Sequence, residues 1–236
     1  LCTKHFLSTR HMEQKKVKIL VLFYTRGGCT ADFAREIGKG AEAIADAEVT
    51  LKRIPEILSR EALGNNPERA ARIEAIEKEF PEATIEDLIE ADGVAFGTPV
   101  HFGSFASQVK HFLDQLTLAW HQQKLVNKPA AVFCVGHGLH SGEEAALISL
   151  IIPLLYLGMI PVGIPYPIQS DAHDFDAGSP YGAIFISASG KREMTDMDKK
   201  VAQILGRRLA SMATLLTCGC DVCGVCRELT RSLKHP

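Results

Sequence analysis

The first candidate for a functional site is TRGGCT, residues 25–30, which combines two hydroxyl side chains with two glycines. An apolar run before them, residues 17–24, predicts a parallel strand buried on both faces, and a helical apolar spacing follows them. At such a turn the first helical N–H groups are unpaired, so backbone donors and the hydroxyls of Thr25 and Thr30 could hold a phosphate. The loop lacks the glycine patterns of triphosphate and dinucleotide sites, which favours a mononucleotide. A tight turn without a ligand is the alternative.

A second constellation is a cysteine cluster near the end of the chain: Cys218, Cys220, Cys223 and Cys226. Thiolates at this spacing could bind an iron–sulfur cluster or zinc. The downstream cysteine and proline of ferredoxin-type sites are missing, however, and the cluster follows the last predicted helix. We therefore expect residues 217–236 to form a disordered tail, and we identify no metal site and no nucleophile.

Composition limits the class of protein. With 236 residues, 46% of them hydrophobic, the chain can bury a substantial core, and we expect one domain over residues 12–216 after a non-native or disordered leader, residues 1–11. A formal net charge of -2 provides no basic footprint for nucleic acid. The seven cysteines, an odd number, come without a recognisable signal peptide, which favours reduced thiols and a cytoplasmic location.

One apolar stretch, residues 145–164, has no charged residue over twenty positions. Pro153, Gly158, Pro161 and Gly163 interrupt it, and a helix followed by a short buried strand accounts for the same apolarity. We therefore expect no stable membrane insertion.

The order of elements predicts an α/β fold. Apolar runs at residues 17–24, 92–97, 129–135 and 160–164, together with an alternating pattern at residues 48–54, predict five strands separated by helices. The charged residues 60–90 predict a solvated helical excursion, and residues 166–181 an irregular segment. This alternation implies a doubly wound, five-stranded parallel sheet with helices on both faces. The loops after the first, third and fourth strands then meet at the carboxyl edge, where such a sheet binds a flat cofactor.

Several motifs together carry a family resemblance: the loop at residues 25–30, GTPVHFGSFASQVKHFLDQ (97–115), Trp120, HGLHSGEE (137–144), LLYLGMIPVGIPY (154–166) and SPYGA (179–183). Over about residues 17–215 the chain resembles the flavodoxin-like NAD(P)H:quinone oxidoreductases of the tryptophan-repressor-binding-protein type. The resemblance implies bound FMN, NADH or NADPH as electron donor, reduction of quinones to hydroquinones, and a homotetramer.

The resemblance also assigns site residues. The FMN phosphate loop corresponds to Thr25, Arg26, Gly27, Gly28, Cys29 and Thr30, and Gly27 also lies beside the nicotinamide in the family. The segment against the isoalloxazine ring corresponds to Val100, His101, Phe102 and Gly103, and the third flavin loop to Gly136, His137, Gly138, Leu139, His140 and Ser141. Trp120 corresponds to an aromatic residue that contacts substrate, and Phe102 would form a second apolar wall. Leu157 stands where many members have a flavin-site His, and His101 where many have an Arg.

These assignments leave alternatives open. Phe102 could be ordinary core packing, Trp120 could serve an interface, and the loop histidines could simply be solvated. We expect a two-electron, ping-pong quinone reductase, with a one-electron carrier or a protein-binding module as the other interpretations. Apolar residues Ile160, Pro161, Ile164 and Tyr166 exceed the needs of a five-stranded core and suggest the subunit contacts.

Overall fold

A computed structural model describes residues 16–59, 66–165 and 178–217. The predicted leader at residues 1–11, Tyr166 and most of the predicted irregular segment, and the cysteine cluster Cys218–Cys226 lie outside the described residues.

Seven strands and seven α-helices are present within these ranges. In chain order they are β1 (Val17–Phe23), α1 (Cys29–Glu42), β2 (Ala47–Arg53), α2 (Pro67–Glu79), α3 (Ile85–Glu90), β3 (Gly93–His101), β4 (Ser104–Phe105), α4 (Ser107–Asp114), α5 (Thr117–His121), β5 (Pro129–Gly136), α6 (Glu143–Tyr156), β6 (Ile160–Pro161), β7 (Ala183–Ile186) and α7 (Asp196–Thr217).

The central sheet is parallel, in the order β2-β1-β3-β5, with β6 and β7 both pairing with β5 at its far edge. The short strand β4 pairs antiparallel with β3. Since the chain alternates between strands and covering helices, the predicted doubly wound α/β architecture is confirmed.

The fifth position of the sheet differs from the prediction of one strand over residues 160–164. Two short strands pair with successive parts of β5 at this position. Strand β6 pairs with the start of β5, where Ile160 is opposite Pro129, and β7 pairs with its end, where Ala183 is opposite Phe133. The chain leaves the edge after β6, where Gly163 lies directly against the Pro180 carbonyl. The last edge strand was missed because AIFI is a four-residue apolar run whose pairing depends on the distant β5.

Both faces of the sheet are buried, as the uninterrupted apolar run of β1 predicts. Val21 and Phe23 face a core closed by α1 and α7, which contribute Ile37 and Leu205. The alternate residues of β1 face a second core closed by α3, α4, α5 and α6. Strands that are apolar on both sides thus fix a three-layer arrangement.

Helices α1 and α7 cross in backbone contact. A Cβ atom at Gly206 would overlap the carbonyl of Ile37, and one at Gly40 would overlap the carbonyl of Gln203. The Gln203 amide donates a hydrogen bond of 2.8 Å to Glu36 across the same crossing. The two glycines therefore set how closely α7 covers the first helix.

In the part of the chain that the structure describes, no helix combines the length and apolarity needed to cross a bilayer. The apolar residues 145–164 are divided between α6 and β6.

We expect Gly206→Ala to destabilise the fold by about 1–3 kcal/mol, because the added methyl group has no room against the Ile37 carbonyl. In a helix with free space at this position, a Gly to Ala change would raise the free energy of unfolding by up to about 1 kcal/mol. Urea unfolding measures the difference. Gly38→Ala in α1 is the matched control, because its methyl would meet only the flexible end of Leu51 at 3.0 Å. Equal stability of the two variants would contradict the close crossing.

Candidate functional site

The turn between β1 and α1 has the geometry of an anion site. Gly28 is the N-cap residue of α1, and its φ of 95° lies in the left-handed region that favours glycine. Its N–H donates to the Thr25 hydroxyl at 3.0 Å, which preorganises the loop. Because Gly28 has no side chain to cap the helix, the first N–H groups of α1 are left for an external acceptor. Gly27 is exposed and has open space around it.

The segment predicted as the second loop is a hairpin. Strand β3 runs on to His101 and returns as β4, with Val100 opposite Phe105. The buried Thr98 hydroxyl accepts a hydrogen bond of 2.9 Å from the N–H of Ala106 and so fixes the return. Phe102, at the tip beside Gly103, has a φ of 52° and a fully exposed side chain. The alternative that Phe102 packs in the core is therefore wrong, and its exposed ring could contact a flat ligand.

The third predicted loop, residues 136–142, lies against this hairpin. A Cβ atom at Gly142 would come within 2.7 Å of the Gly103 Cα atom, so the two segments touch. Ser141 Oγ donates to the Gly138 carbonyl at 2.6 Å and closes the loop upon itself. His140 has a φ of 60°, and Leu139 is exposed.

A fourth segment, residues 187–191, joins the site and was not predicted. The N–H and hydroxyl of Ser187 both donate to the Gly136 carbonyl, at 3.0 and 3.1 Å. Ser189 Oγ and His137 Nδ1 share a hydrogen bond of 2.6 Å. A Cβ atom at Gly190 would lie 3.6 Å from Cys29 Sγ. In the sequence this segment is marked by the small residues SASG, residues 187–190. They could be assigned to the carboxyl edge of the sheet only if β7 were known to precede them.

Two glycines at the carboxyl ends of β3 and β5 are required by internal packing. A Cβ atom at Gly97 would overlap the ring of Phe133, and one at Gly136 would overlap the Glu143 carboxylate. Both positions thus require glycine whether or not a ligand is bound. Around Gly103 no atom lies within 4 Å of the Cβ position, so this glycine is needed for its φ of 74°.

A buried hydrogen-bond network supports the site from below. Tyr24 donates to one oxygen of Glu56 and Gln108 to the other, both at 2.5 Å. Burial, reinforced by the Glu56 carboxylate, raises the pKa of Tyr24 well above its ordinary value. Burial alone would raise the pKa of Glu56, but these donors and two backbone N–H groups hold that pKa below its usual range. Burial, with Arg26 nearby, lowers the pKa of His101, which is therefore neutral at pH 7.

The arrangement fits a mononucleotide. Arg26 has a buried Nε that finds no acceptor among residues 16–59, 66–165 and 178–217, so an anionic ligand group could satisfy it. Tyr24, Thr25 and Arg26 line a cavity of about 550 Å³ between the loop and α2. The anion turn, this cavity and the exposed ring of Phe102 together could hold a phosphate at one end and a flat ring at the other.

Trp120 and Leu157 lie elsewhere. They line an apolar groove of about 500 Å³ formed by α4, α5 and α6 together with Phe105. Trp120 stacks on Tyr156, with ring centroids 5.7 Å apart and planes inclined by 26°. The structure thus brings the three predicted loops together and places these two residues in a separate groove on the flank.

We expect Glu56→Gln to reduce the free energy of unfolding by about 1–3 kcal/mol at neutral pH, because Tyr24 and Gln108 lose a charged acceptor. The Glu56 pKa is lower in the folded than in the unfolded chain, so its contribution is present above the unfolded value of 4.5 and is lost as pH falls through the folded value. The variant should lose less stability than wild type between about pH 5 and 3. Urea unfolding at several pH values tests this, with the exposed Glu48→Gln as control; parallel pH curves for wild type and variant would contradict it.

The chain is similar to known flavin enzymes in sequence and in fold. The family model for NADPH-dependent FMN reductases matches residues 17–174. Proteins named NAD(P)H dehydrogenase (quinone) from Solidesulfovibrio magneticus and Syntrophobacter fumaroxidans are 34% and 36% identical, each over 85% of this chain and 99% of the relative. A flavodoxin, WrbA-like protein from Agrobacterium tumefaciens has a TM-score of 0.59 at 21% identity, covering 84% of this chain and 98% of that one.

These similarities confirm the resemblance and the predicted flavodoxin-like fold, which the solved structure shares. They also confirm FMN as the cofactor and NAD(P)H as the electron donor. The family match covers more than half of the chain, and the relatives match over nearly their whole length. The chain therefore belongs to the NADPH-dependent FMN reductase family and is a flavin-dependent NAD(P)H oxidoreductase.

Proposed function

We propose that this enzyme reduces quinones to hydroquinones with electrons from NADH or NADPH. The observation that carries the proposal is the exposed Phe102 ring on the hairpin beside the anion turn of Gly28. Such a wall leaves room for a flat substrate next to a flat cofactor. The quinone named for the relatives at 34–36% identity supports this class of acceptor.

We assign the cofactor to the four segments at the carboxyl edge of the sheet. The phosphate would be held by residues 25–30 and the ring system would lie among residues 100–103 and 136–141, with Gly27 open toward the nicotinamide. Bound FMN would supply the hydride and electron chemistry. The scheme requires no acid–base pair from the described residues: the Glu56 carboxylate already accepts hydrogen bonds from Tyr24 and Gln108.

Two flat substrates would use the same open face in turn. One face of the cofactor would be covered by the loops, so NAD(P)H would donate a hydride and its oxidised form would leave before the quinone enters. The quinone would then take up the two electrons and the proton delivered as hydride, together with one further proton from solvent, and leave as the hydroquinone.

We expect NADH or NADPH to bleach the visible flavin absorbance under anaerobic conditions, and a quinone to restore it. Initial rates at several concentrations of both substrates should give parallel reciprocal plots, because the first product leaves before the second substrate binds. Hydroquinone is measured directly as the product. Intersecting plots would contradict sequential use of one face, and mainly one-electron products would favour an electron carrier.

We also propose a homotetramer, and we add helices α5 and α6 to the contact residues suggested by sequence, from which the structure removes one. Ile164 is 1% exposed and packs in the core, so it is not available to a partner. Helices α5 and α6 expose six large apolar side chains: Leu118, Trp120, Ile148, Ile152, Leu155 and Tyr156. A patch of this composition is typical of subunit interfaces. Because Trp120 lies in the flank groove and not among the four segments of the site, the substrate contact that the family resemblance implies for it would have to be made across this interface.

Cysteine usage supports a cytoplasmic location. Cys29 and Cys134 are both free thiols, and Cys29 lies in the phosphate loop, where an oxidising compartment would expose it to modification.

We expect Ile152→Glu to shift the tetramer to smaller species and to raise the quinone KM, because a charge would be buried in the α5–α6 interface. Multi-angle light scattering and steady-state kinetics measure the two effects. Leu215→Glu in α7 is the matched control, since it replaces another exposed aliphatic side chain with the same charge on the opposite layer. A monomeric wild type, or an Ile152→Glu protein that stays tetrameric, would contradict this interface.

A further inference from the structure

Helix α2 reaches the proposed phosphate site with one side chain. The helix is mostly exposed, as the charged composition of the segment predicts, and Ile76 is its only residue described as buried. The Arg72 guanidinium nevertheless lies on the phosphate loop: a Cβ atom at Gly28 would overlap its Nε, Cζ and Cδ atoms. A cation from a distant part of the chain thus lies beside the left-handed turn that begins α1.

Arg72 also offsets an acidic side chain at this turn. It forms an ion pair with Asp32, which lies in the first turn of α1 and also accepts a hydrogen bond of 2.7 Å from Arg35. A carboxylate so close to the helix N-terminus would repel a phosphate dianion. The Arg72 guanidinium, next to both Gly28 and Asp32, is placed to balance two anions at once.

Contacts other than those of Arg72 hold α2 against the rest of the domain. Glu79 near the end of α2 accepts two hydrogen bonds from Arg35, at 2.9 and 2.5 Å. Arg35 also lies 5.0 Å from the centre of the Phe80 ring, and Ile76 packs into the core of the sheet. These contacts lie between about one turn (Ile76) and about two turns (Glu79) along the helix from Arg72. The Arg72 side chain is therefore held over the loop by a helix that does not depend on it.

We propose that Arg72 is a phosphate ligand of the cofactor and makes the enzyme select a phosphorylated flavin over the unphosphorylated one. A guanidinium suits this task because its planar fork can donate two hydrogen bonds to phosphate oxygens. This inference rests on the proposed phosphate site at residues 25–30. In this proposal the exposed helix α2 contributes Arg72 to the site, and the charge of Arg72 favours FMN, which carries a phosphate, over riboflavin, which does not.

The test compares FMN and riboflavin binding to the full-length protein freed of flavin, by quenching of flavin fluorescence. Arg72→Ala should raise the Kd for FMN about 10- to 100-fold, the value of a hydrogen bond between charged groups, and change the Kd for riboflavin less than about twofold. Arg72→Lys should fall between wild type and Arg72→Ala, since it keeps the charge and loses the fork. Added salt should weaken FMN binding more in wild type than in Arg72→Ala.

Lys78→Ala is the matched control, because Lys78 lies on the same helix and pairs only locally with Glu74 in the structure. It should leave both Kd values unchanged. Equal weakening of FMN and riboflavin by Arg72→Ala, or no change in either, would overturn the inference. A wild-type protein that fails to bind FMN would instead contradict the proposed site itself, so the two failures are separable.

Discussion

The left-handed turn at Gly28 is the constraint on which the site depends. Strand β1 is buried on both faces and ends at the carboxyl edge of the sheet, where the chain must turn sharply into α1. A residue with a Cβ atom would be strained at a φ of 95° and would collide with Arg72. The glycine therefore does three things together: it makes the turn possible, leaves the first N–H groups of the helix uncapped, and lets a guanidinium approach the loop.

The scaffold below this turn is rigid for reasons of packing. Gly40 and Gly206 let α1 and α7 meet backbone to backbone, which fixes the distance between the two helices that cover one face of the sheet. The loops at the carboxyl edge are then linked to one another, through the contact of Gly142 with Gly103 and the hydrogen bond between Ser189 and His137. A rigid sheet that presents linked loops is a common way to hold a cofactor with the accuracy that electron transfer needs.

The charges around the site favour an anion. The Glu56 carboxylate is enclosed by donors from Tyr24 and Gln108, and Asp32 is paired with Arg35 and Arg72. Two further groups lie near the loop: the Arg26 guanidinium, with a buried Nε that has no acceptor among the described residues, and the His101 ring, whose pKa is lowered by burial. This balance suits a phosphorylated cofactor whose own chemistry carries the reaction.

The α/β alternation, the buried parallel strands and the three loops could be predicted from the sequence, because apolar periodicity and glycine placement are local properties of the chain. The family resemblance could be read from the sequence as well. Three features became known only from the folded chain: β6 and β7 share one edge, Trp120 and Leu157 lie in a flank groove, and Arg72 lies against Gly28. Each of these depends on which distant segments pack together, and a surface arginine on a charged helix has no local pattern that distinguishes it from a solvated one.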